Sequence, residues 1–380
     1  MSESGADRRG LLHWRRAARR LTDEVLRPHE VELPPDGTPP PAVFTACLAG
    51  RRAAGLWGIT VPAASGGLEL PWRARVMVQE EVHGSLLGLW TQQVFTPGEP
   101  PSALYDASLT QRTRVLQPCL TGERMAHQLV LPATPLPGRV PGLKATPVRG
   151  GARLDGVWPA VPALMTTDLL LVMTELGGTL CGFLCEPGLH GYRVVRRRGS
   201  MGSITLTDLA WEACVLDEER LIRGIAGSAA RWQAAMRGTV FAAGALGAAV
   251  YCLECGLEHL RQRVTFGRPL AERQAMQWMV ADSARELQAA RLLVQRAAAM
   301  ADSGEDAGLA AAATAAKVYA TDVACAIVDR VLQMHGGYGY TRALPFERYW
   351  RELRYYRLAE GNNDQLAAEA GPGLLAQLDG

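Results

Sequence analysis

The spacing of apolar residues divides the chain into three parts, and the first of them is helical. Apolar positions recur with helical spacing over 11–26. A proline-rich break follows, and helix-like runs then alternate with turns over 42–124. We therefore predict an N-terminal helical domain over residues 1–124.

The second part, residues 125–225, carries short apolar runs that proline and glycine separate. Runs such as 169–173 and 181–185 are too short for helices and are bounded by turn residues. Short runs at this spacing are typical of paired strands. The pattern predicts a central antiparallel β domain.

The third part, residues 226–380, returns to a period near 3.6 residues and is rich in alanine and leucine. Its periodic segments are 229–263, 272–303 and 306–334. Long helices with short connections favour an antiparallel bundle. The chain is therefore predicted to be an α+β protein with a helical domain, a β domain and a helical bundle in that order.

Charge and composition exclude several classes of protein. The 380 residues carry 40 basic and 38 acidic side chains, and a net charge of +2 argues against a dedicated nucleic-acid binder. No apolar run approaches the roughly 18 residues of a membrane span, so we expect no membrane association. The first 20 residues lack the apolar core of a secretion signal, which predicts a cytoplasmic protein.

The eight cysteines are scattered, and only Cys252 and Cys255 form a C-x-x-C pair. This pair lies in an apolar helical run without a second pair or a histidine cluster nearby. Free thiols in a reducing compartment are therefore expected, and no metal site is predicted.

Two segments of the third part offer groups that bind anions. Residues 333–340 end a helix in a glycine cluster, where positive φ and close approach of a phosphate are permitted. The same pattern is typical of an ordinary helix C-cap. Residues 261–270 combine arginine, threonine and backbone N–H groups between two helices, which suits a pyrophosphate or a plain charged loop equally.

Glu360 lies where a helix gives way to a glycine turn. An acid at a helix end is usually solvated, and on this residue alone the solvated state is favoured.

Four segments together resemble the acyl-CoA dehydrogenase family. Residues 55–67 are similar to its N-terminal GL-GI-VP-GG stretch, and 263–274 to its R-x-x-F-G-x-P-L…Q signature. Residues 333–340 are similar to Q-x-x-G-G-x-G-Y, and 351–361 to R-D-x-R followed by E-G-T. One such motif is weak, but four in the family's order are specific.

The resemblance implies the acyl-CoA dehydrogenase fold with a C-terminal four-helix bundle, bound FAD, and a homotetramer or dimer in which two subunits contact each FAD. Electron transfer flavoprotein is the electron acceptor that it implies. The residues that it assigns to FAD are Arg263, Thr265, Phe266, Gln274, Gln333, Gly336, Gly337 and Asn362.

The resemblance also implies that Glu360 is the catalytic base of an acyl-thioester dehydrogenation. The base removes the α-proton while a hydride leaves the β-carbon for flavin N5, and burial is expected to raise the carboxyl pKa. Some members place the base before the arginine of the first bundle helix. Here that arginine is Arg237, and the residue before it is Met236, whose side chain cannot accept a proton. Arg237 and Ala359 are the predicted substrate contacts.

Two stretches of the β domain depart from the family pattern. Residues 131–139 lack the acid and the serine of the family's T-E-P-x-x-G-S-D stretch, and residues 160–162 replace its W-I-T. These changes indicate a specialised biosynthetic enzyme. We expect its acyl substrate to be attached to CoA or to an acyl carrier protein. Carrier proteins are acidic, and arginine clusters such as 15–20 and 196–198 are candidates to bind one.

Ala359 is a third departure, because it replaces the tyrosine that usually precedes the base. An empty apolar cavity is destabilising, so the space that the missing ring leaves should be filled. We predict that the acyl group fills it, or a bulky side chain of the N-terminal domain such as Trp90 or Phe95.

Two alternatives remain open on the sequence. The string Trp158-Pro159 is similar to flavin monooxygenases of the same fold. The altered β-domain motifs also suit a non-catalytic homologue that keeps the fold for assembly.

Overall fold

Helices form the first part of the chain in this computed structural model, which describes residues 5–34, 39–94, 99–130, 143–162, 169–188, 191–305 and 308–376. The N-terminal helices are α1 (Gly5–Leu21), α2 (Arg27–His29), α3 (Pro41–Ala53), α4 (Trp72–Val82), α5 (Leu86–Val94), α6 (Leu109–Gln111) and α7 (Gln117–Thr121). Two π-helical turns, Thr22–Leu26 and Arg112–Leu116, join α1 to α2 and α6 to α7.

A twisted sheet forms the second part. Its strands are β1 (Ala126–Val130), β2 (Lys144–Val148), β3 (Gly151–Pro162), β4 (Leu169–Leu176), β5 (Thr179–Pro187), β6 (Gly191–Gly199), β7 (Thr205–Asp217) and β8 (Leu221–Ile222). Their order is β1-β4-β5-β6-β7-β3-β2, and β8 pairs with β5.

The sheet is mixed, so the prediction of a purely antiparallel domain is wrong at two pairings. Strands β1 and β4 run parallel, as do β5 and β6 where they meet, whereas the other pairs of this sheet are antiparallel. Parallel strands that pair along their length, as β1 and β4 do, need a long connection, whereas β5 and β6 pair through only two residues each. The chain between β1 and β4 contains β2 and β3, which supply it.

The bundle is built from α8 (Ala226–Met236), α9 (Ala242–Gln262), α10 (Gln274–Ser303), α11 (Leu309–His335), α12 (Phe346–Tyr356) and α13 (Asn363–Ala376). A π-helical turn over Arg237–Phe241 joins α8 to α9. A two-stranded hairpin of β9 (Val264–Thr265) and β10 (Arg268–Pro269) precedes α10. The three periodic segments predicted for this part coincide with α8–α9, α10 and α11, and the predicted order of helical, β and helical parts is confirmed.

One apolar core joins the N-terminal helices to the bundle. Buried residues of α1, α4, α9, α10, α11 and α12 belong to the same cluster. Helix α9 approaches α4 so closely that a Cβ on Gly247 would lie 2.1 Å from the Glu80 carbonyl oxygen. The sheet has a core of its own around Phe183 and Trp211.

Two helical stretches of the described residues are long and apolar enough to span a membrane, by length and composition. They are Ala230–Gln262 and Leu309–Tyr338. Most of the apolar window in the first and half of that in the second is buried inside the protein. Packing in the bundle core accounts for their hydropathy.

Helix α12 holds the β domain through a buried ionic contact. Arg348 Nη2 donates to Ser203 Oγ at 2.7 Å, and the Ser203 N–H donates to Glu352 Oε1 at 2.7 Å. Nearby, Arg351 Nη1 donates to the Met201 carbonyl oxygen at 2.8 Å. The loop before β7 is therefore fixed to this helix.

Replacing Arg348 by methionine leaves the buried Glu352 carboxylate without the positive charge of Arg348. We expect the free energy of unfolding to fall by about 3–5 kcal/mol, measured from urea unfolding at pH 7. Arg354→Met, on an exposed position of the same helix, is the control and should cost less than about 0.5 kcal/mol. Equal stability of the two variants would contradict the structural role of the contact.

Candidate active site

Glu360 lies in a tight turn between α12 and α13. The Ala359 N–H donates to the Tyr355 carbonyl oxygen at 2.9 Å, which closes the last turn of α12. Glu360 and Gly361 then both have positive φ, with values of +55° and +103°. Such a conformation is uncommon and strained for glutamate. The strain marks this turn as a candidate functional element.

The surroundings of the Glu360 carboxyl group pull its pKa in two directions. Burial raises the pKa above its ordinary value of 4.5 and is the dominant effect. The Arg237 guanidinium, a hydrogen bond from the Gln233 side chain and the Lys317 ammonium oppose it. A carboxylate with a raised pKa, held beside two cations, is suited to accept a proton near neutral pH.

Arg237 begins the π-helical turn between α8 and α9. Such turns often occur at functional sites, because they shift the side chains that follow out of the helical register. The Nε–H of Arg237 is buried and has no hydrogen-bond partner among the described residues. A buried donor without a partner is rare in proteins, and it is consistent with a ligand at this position.

Ala359 packs against the main apolar core. Burial raises the pKa of the Tyr355 hydroxyl group, one helical turn earlier, and the charge of the nearby Glu360 carboxylate adds to this effect. Trp90, one of the two aromatic residues predicted to fill the space beside Ala359, instead packs against Phe44 in a separate cluster, with ring centroids 5.7 Å apart. The side chain of the other, Phe95, lies outside the described residues.

The hairpin between α9 and α10 and its flanking residues carry four of the eight predicted FAD residues. Its tip is a two-residue turn in which Phe266 and Gly267 both have positive φ, as a type I′ hairpin requires. The Phe266 side chain is 97% exposed, and Arg263 and Gln274 are exposed as well. Thr265 lies in β9, and its carbonyl oxygen accepts a hydrogen bond from Arg273 Nη2 at 2.6 Å.

The glycine cluster after α11 lies at the same end of the bundle as this hairpin. The rings of His259 in α9 and His335 in α11 stack at 4.1 Å, which brings the two helix ends together. A Cβ on Gly336 or Gly337 would meet nothing within 4 Å, so their backbone is open to a bulky group. Gln333 is exposed beside them.

These groups fit a pyrophosphate. Exposed guanidinium, amide and hydroxyl groups at one bundle end, together with an accessible glycine backbone, are the donors that bind such an anion. Asn362 is not among them: it stays beside Glu360, where its Oδ1 accepts from the Asp364 N–H at 3.0 Å and caps α13.

The β domain bulges where the family motif is lost. The pairing of β3 with β7 shifts register between Trp158 and Val161, and Ala160 adopts a φ of +59°. The Ala160 N–H donates to Asp208 Oδ1 at 2.9 Å. Thr134 and the rest of 131–139 lie outside the described residues.

Lys317 and Gln233 are the site residues that sequence reasoning missed. Both lie in long alanine-rich helices, where no motif distinguishes them. A usable signal for Lys317 was its residue type, since Lys144 and Lys317 are the only lysines among 40 basic residues.

Two family models match the chain over about two thirds of its length. The acyl-CoA dehydrogenase N-terminal domain matches residues 11–123, and the C-terminal domain of that family matches residues 227–371.

Curated relatives differ in how much of the chain they cover. The 3-sulfinopropanoyl-CoA desulfinase of Paraburkholderia xenovorans is 40% identical over 133 residues, which are 35% of this chain and 34% of the relative. Matches to desulfinases of this kind span between a third and about half of the relatives' length. The probable acyl-CoA dehydrogenase FadE25 of Mycobacterium tuberculosis is 28% identical over 92% of this chain and 91% of its own.

Solved structures share the fold over almost the whole chain. Butyryl-CoA dehydrogenase from Megasphaera elsdenii has a TM-score of 0.79 and 22% identity and covers 99% of both chains. The FAD complex of PigA has a TM-score of 0.83 and 19% identity and covers 98% of both chains. These likenesses confirm the predicted fold, and the family models confirm the predicted class of flavin enzyme with FAD as its cofactor. The chain belongs to the acyl-CoA dehydrogenase family of flavin oxidoreductases.

Proposed function

We propose that this protein dehydrogenates an acyl-CoA thioester and that Glu360 is the base that removes the α-proton. The observation that carries the proposal is the Glu360 turn. It holds a carboxyl group of raised pKa beside Arg237, in a family of acyl-CoA dehydrogenases.

The surroundings of Glu360 have opposite effects on its carboxyl group, and proton transfer requires both. The α-proton of a thioester is weakly acidic, so the base must be basic enough to take it and still ionised before the reaction. Burial supplies the basicity, whereas Arg237, Lys317 and the Gln233 amide favour the ionised form. FAD, when bound, supplies the hydride acceptor. The orphaned Nε–H of Arg237 is a donor available to the substrate.

CoA is the carrier that we propose for the acyl group. The named relatives act on a CoA thioester according to their names, namely 3-sulfinopropanoyl-CoA, acyl-CoA and butyryl-CoA. Of the arginine clusters predicted to meet an acyl carrier protein, Arg15 and Arg19 pair with Glu81 at 2.6 and 2.9 Å. Arg198 pairs with Asp208. Faster flavin reduction by a carrier-bound acyl group than by its CoA ester would favour the carrier protein.

An assembly of two or more subunits completes the site in this proposal. Lys317, beside Glu360, and His335, beside the glycine cluster, are 18 residues apart in α11, about 27 Å along the helix axis. The FAD residues of the hairpin are therefore remote from the base of their own chain. They are also exposed, including the almost bare Phe266 ring. Both facts support a hairpin that reaches the FAD of a neighbouring subunit in a homotetramer, with electron transfer flavoprotein as the acceptor.

Glu360→Gln keeps the shape of the side chain but removes its capacity to accept the proton. We expect FAD to remain bound, and the anaerobic bleaching of oxidised flavin by an acyl-CoA panel to slow by about 10²–10⁴-fold. Glu369→Gln, an exposed glutamate on α13, is the control and should leave the rate unchanged.

Three results would contradict the proposal. They are wild-type flavin reduction by Glu360→Gln, incorporation of labelled oxygen from O₂ into the product, and a lack of bound flavin after reconstitution. The second would indicate the flavin monooxygenase, and the third the non-catalytic homologue.

Ala359→Tyr restores the aromatic residue that usually precedes the base in the resembling sequences. If the native acyl group occupies the space beside Ala359, the tyrosine overpacks the pocket at a cost of about 1–3 kcal/mol. We expect a KM raised about tenfold or more with unchanged FAD content. Ala368→Tyr, at an exposed position of α13, is the control. Unaltered kinetics with the true substrate would show that Ala359 does not shape the pocket.

Phe266→Ser tests the hairpin. Loss of a buried aromatic contact between subunits should weaken FAD retention about tenfold or more and lower the oligomeric mass in native mass spectrometry. Leu109→Ser, which changes another exposed apolar side chain far along the sequence at 73% exposure, is the matched control. Unchanged mass and FAD content would place Phe266 outside the interface.

A further inference from the structure

Lys317 is fully buried in the middle of α11. The only other lysine, Lys144, is exposed on β2, and the remaining basic residues of the chain are arginines. A buried ammonium group is costly unless it is hydrogen-bonded. The protein therefore places a lysine where it needs three compact donors.

The Lys317 ammonium contacts the junction between α12 and α13 on both sides of Glu360. Its Nζ lies 2.5 Å from the Gly361 carbonyl oxygen and 2.7 Å from Asn363 Oδ1. The Arg357 carbonyl oxygen, at the end of α12, lies 3.4 Å away. Three acceptors converge on one nitrogen, which suits an ammonium group but not a planar guanidinium.

Asn363 fixes the far side of the same junction. It is buried, and its Nδ2 donates to Thr321 Oγ1 at 2.9 Å and to Asp322 Oδ1 at 3.0 Å, both on α11. Asp322 also forms an ion pair with Arg357 at 2.6 Å. One stretch of α11 thus holds both ends of the Glu360 turn.

The turn needs such support, because Glu360 has a φ of +55°. A left-handed conformation costs a residue with a Cβ about 1–3 kcal/mol and persists only where the surroundings impose it. Gly361, which follows at a φ of +103°, carries the carbonyl group that Lys317 binds. Lys317 therefore binds the residue directly after Glu360, which has the strained conformation.

The same ammonium group acts on Glu360 by its charge. Lys317 lowers the pKa of the Glu360 carboxyl group, as do Arg237 in the π-helical turn and Gln233 in α8. A positive charge near a carboxylate favours its ionised form. Lys317 therefore opposes the effect of burial on the base.

Burial lowers the pKa of Lys317 itself to about 8. Arg237 and Arg357 act in the same direction, whereas Glu360 and Asp322 raise this pKa. Lys317 is therefore mostly charged at neutral pH and loses its proton just above it.

We propose that Lys317 is a positioning residue whose ammonium group clamps the Glu360–Gly361 turn in its positive-φ conformation and favours the ionised form of the Glu360 carboxylate. This inference rests on the proposed role of Glu360 as the base.

Lys317→Met removes the clamp and the charge at nearly constant volume, and Lys144→Met is the matched control. In the purified holoenzyme, we expect amide hydrogen exchange of a peptide covering residues 357–363 to become at least about ten-fold faster. Because a nearby positive charge favours the ionised carboxylate, its loss raises the pKa of Glu360. The rising limb of kcat/KM against pH should therefore move to higher pH. At a given pH on that limb, kcat/KM should fall by up to about ten-fold. Lys144→Met should change neither measurement.

Lys317→Arg separates the two effects and serves if Lys317→Met does not fold. It keeps the charge but loses the convergence on three acceptors, so we expect faster exchange of the turn with the rising limb near its wild-type pH. In the wild-type protein, exchange of residues 357–363, corrected for intrinsic rates, should accelerate above a pH of about 8, where Lys317 loses its proton.

Wild-type exchange and a wild-type pH profile in either folded variant would overturn the proposal, as would pH-independent corrected exchange in the wild-type protein. Failure of the base assignment can be distinguished from failure of this proposal. If Glu360 is not the base, flavin reduction in the Glu360→Gln variant is normal, while hydrogen exchange of residues 357–363 still tests whether Lys317 holds the turn.

Discussion

The close packing of α9 and its π-helical turn against α4 and α11 is the constraint on which the site depends. A Cβ on Gly238 would lie 2.4 Å from the Ala313 Cα, and one on Gly247 would overlap the carbonyl group of α4 that it faces. Because these helices share one core, Arg237 and Lys317 are held at a fixed place on neighbouring helices. The Glu360 turn then enters between them from α12.

Burial and charge compete at this turn, and burial dominates. Two cations and an amide favour the ionised Glu360 carboxylate, yet its pKa is still raised. Cations alone would lower the basicity of the carboxylate that must take a proton from carbon, whereas burial alone would favour its protonated form. The balance between the two is what the proposed chemistry requires.

The bundle end that is predicted to bind FAD and the Glu360 turn lie beside different parts of α11. The first consists of exposed donors around the hairpin and the glycine cluster, and the second is a turn held by the buried Lys317. Helix α12, which precedes this turn, contacts the β domain through Arg348, Glu352 and Ser203.

The sequence by itself determined the helical and β parts and the segments that carry Arg237, Phe266 and Glu360, because periodicity and motif spacing are local properties. Only the tertiary structure decided the parallel pairing of β1 with β4, the π-helical turn and the role of Lys317. Lys317 lies in an alanine-rich run, 43 residues before Glu360, and its acceptors come from a different helix junction. Contacts between residues so distant in the chain arise from packing, which no local pattern of residues records.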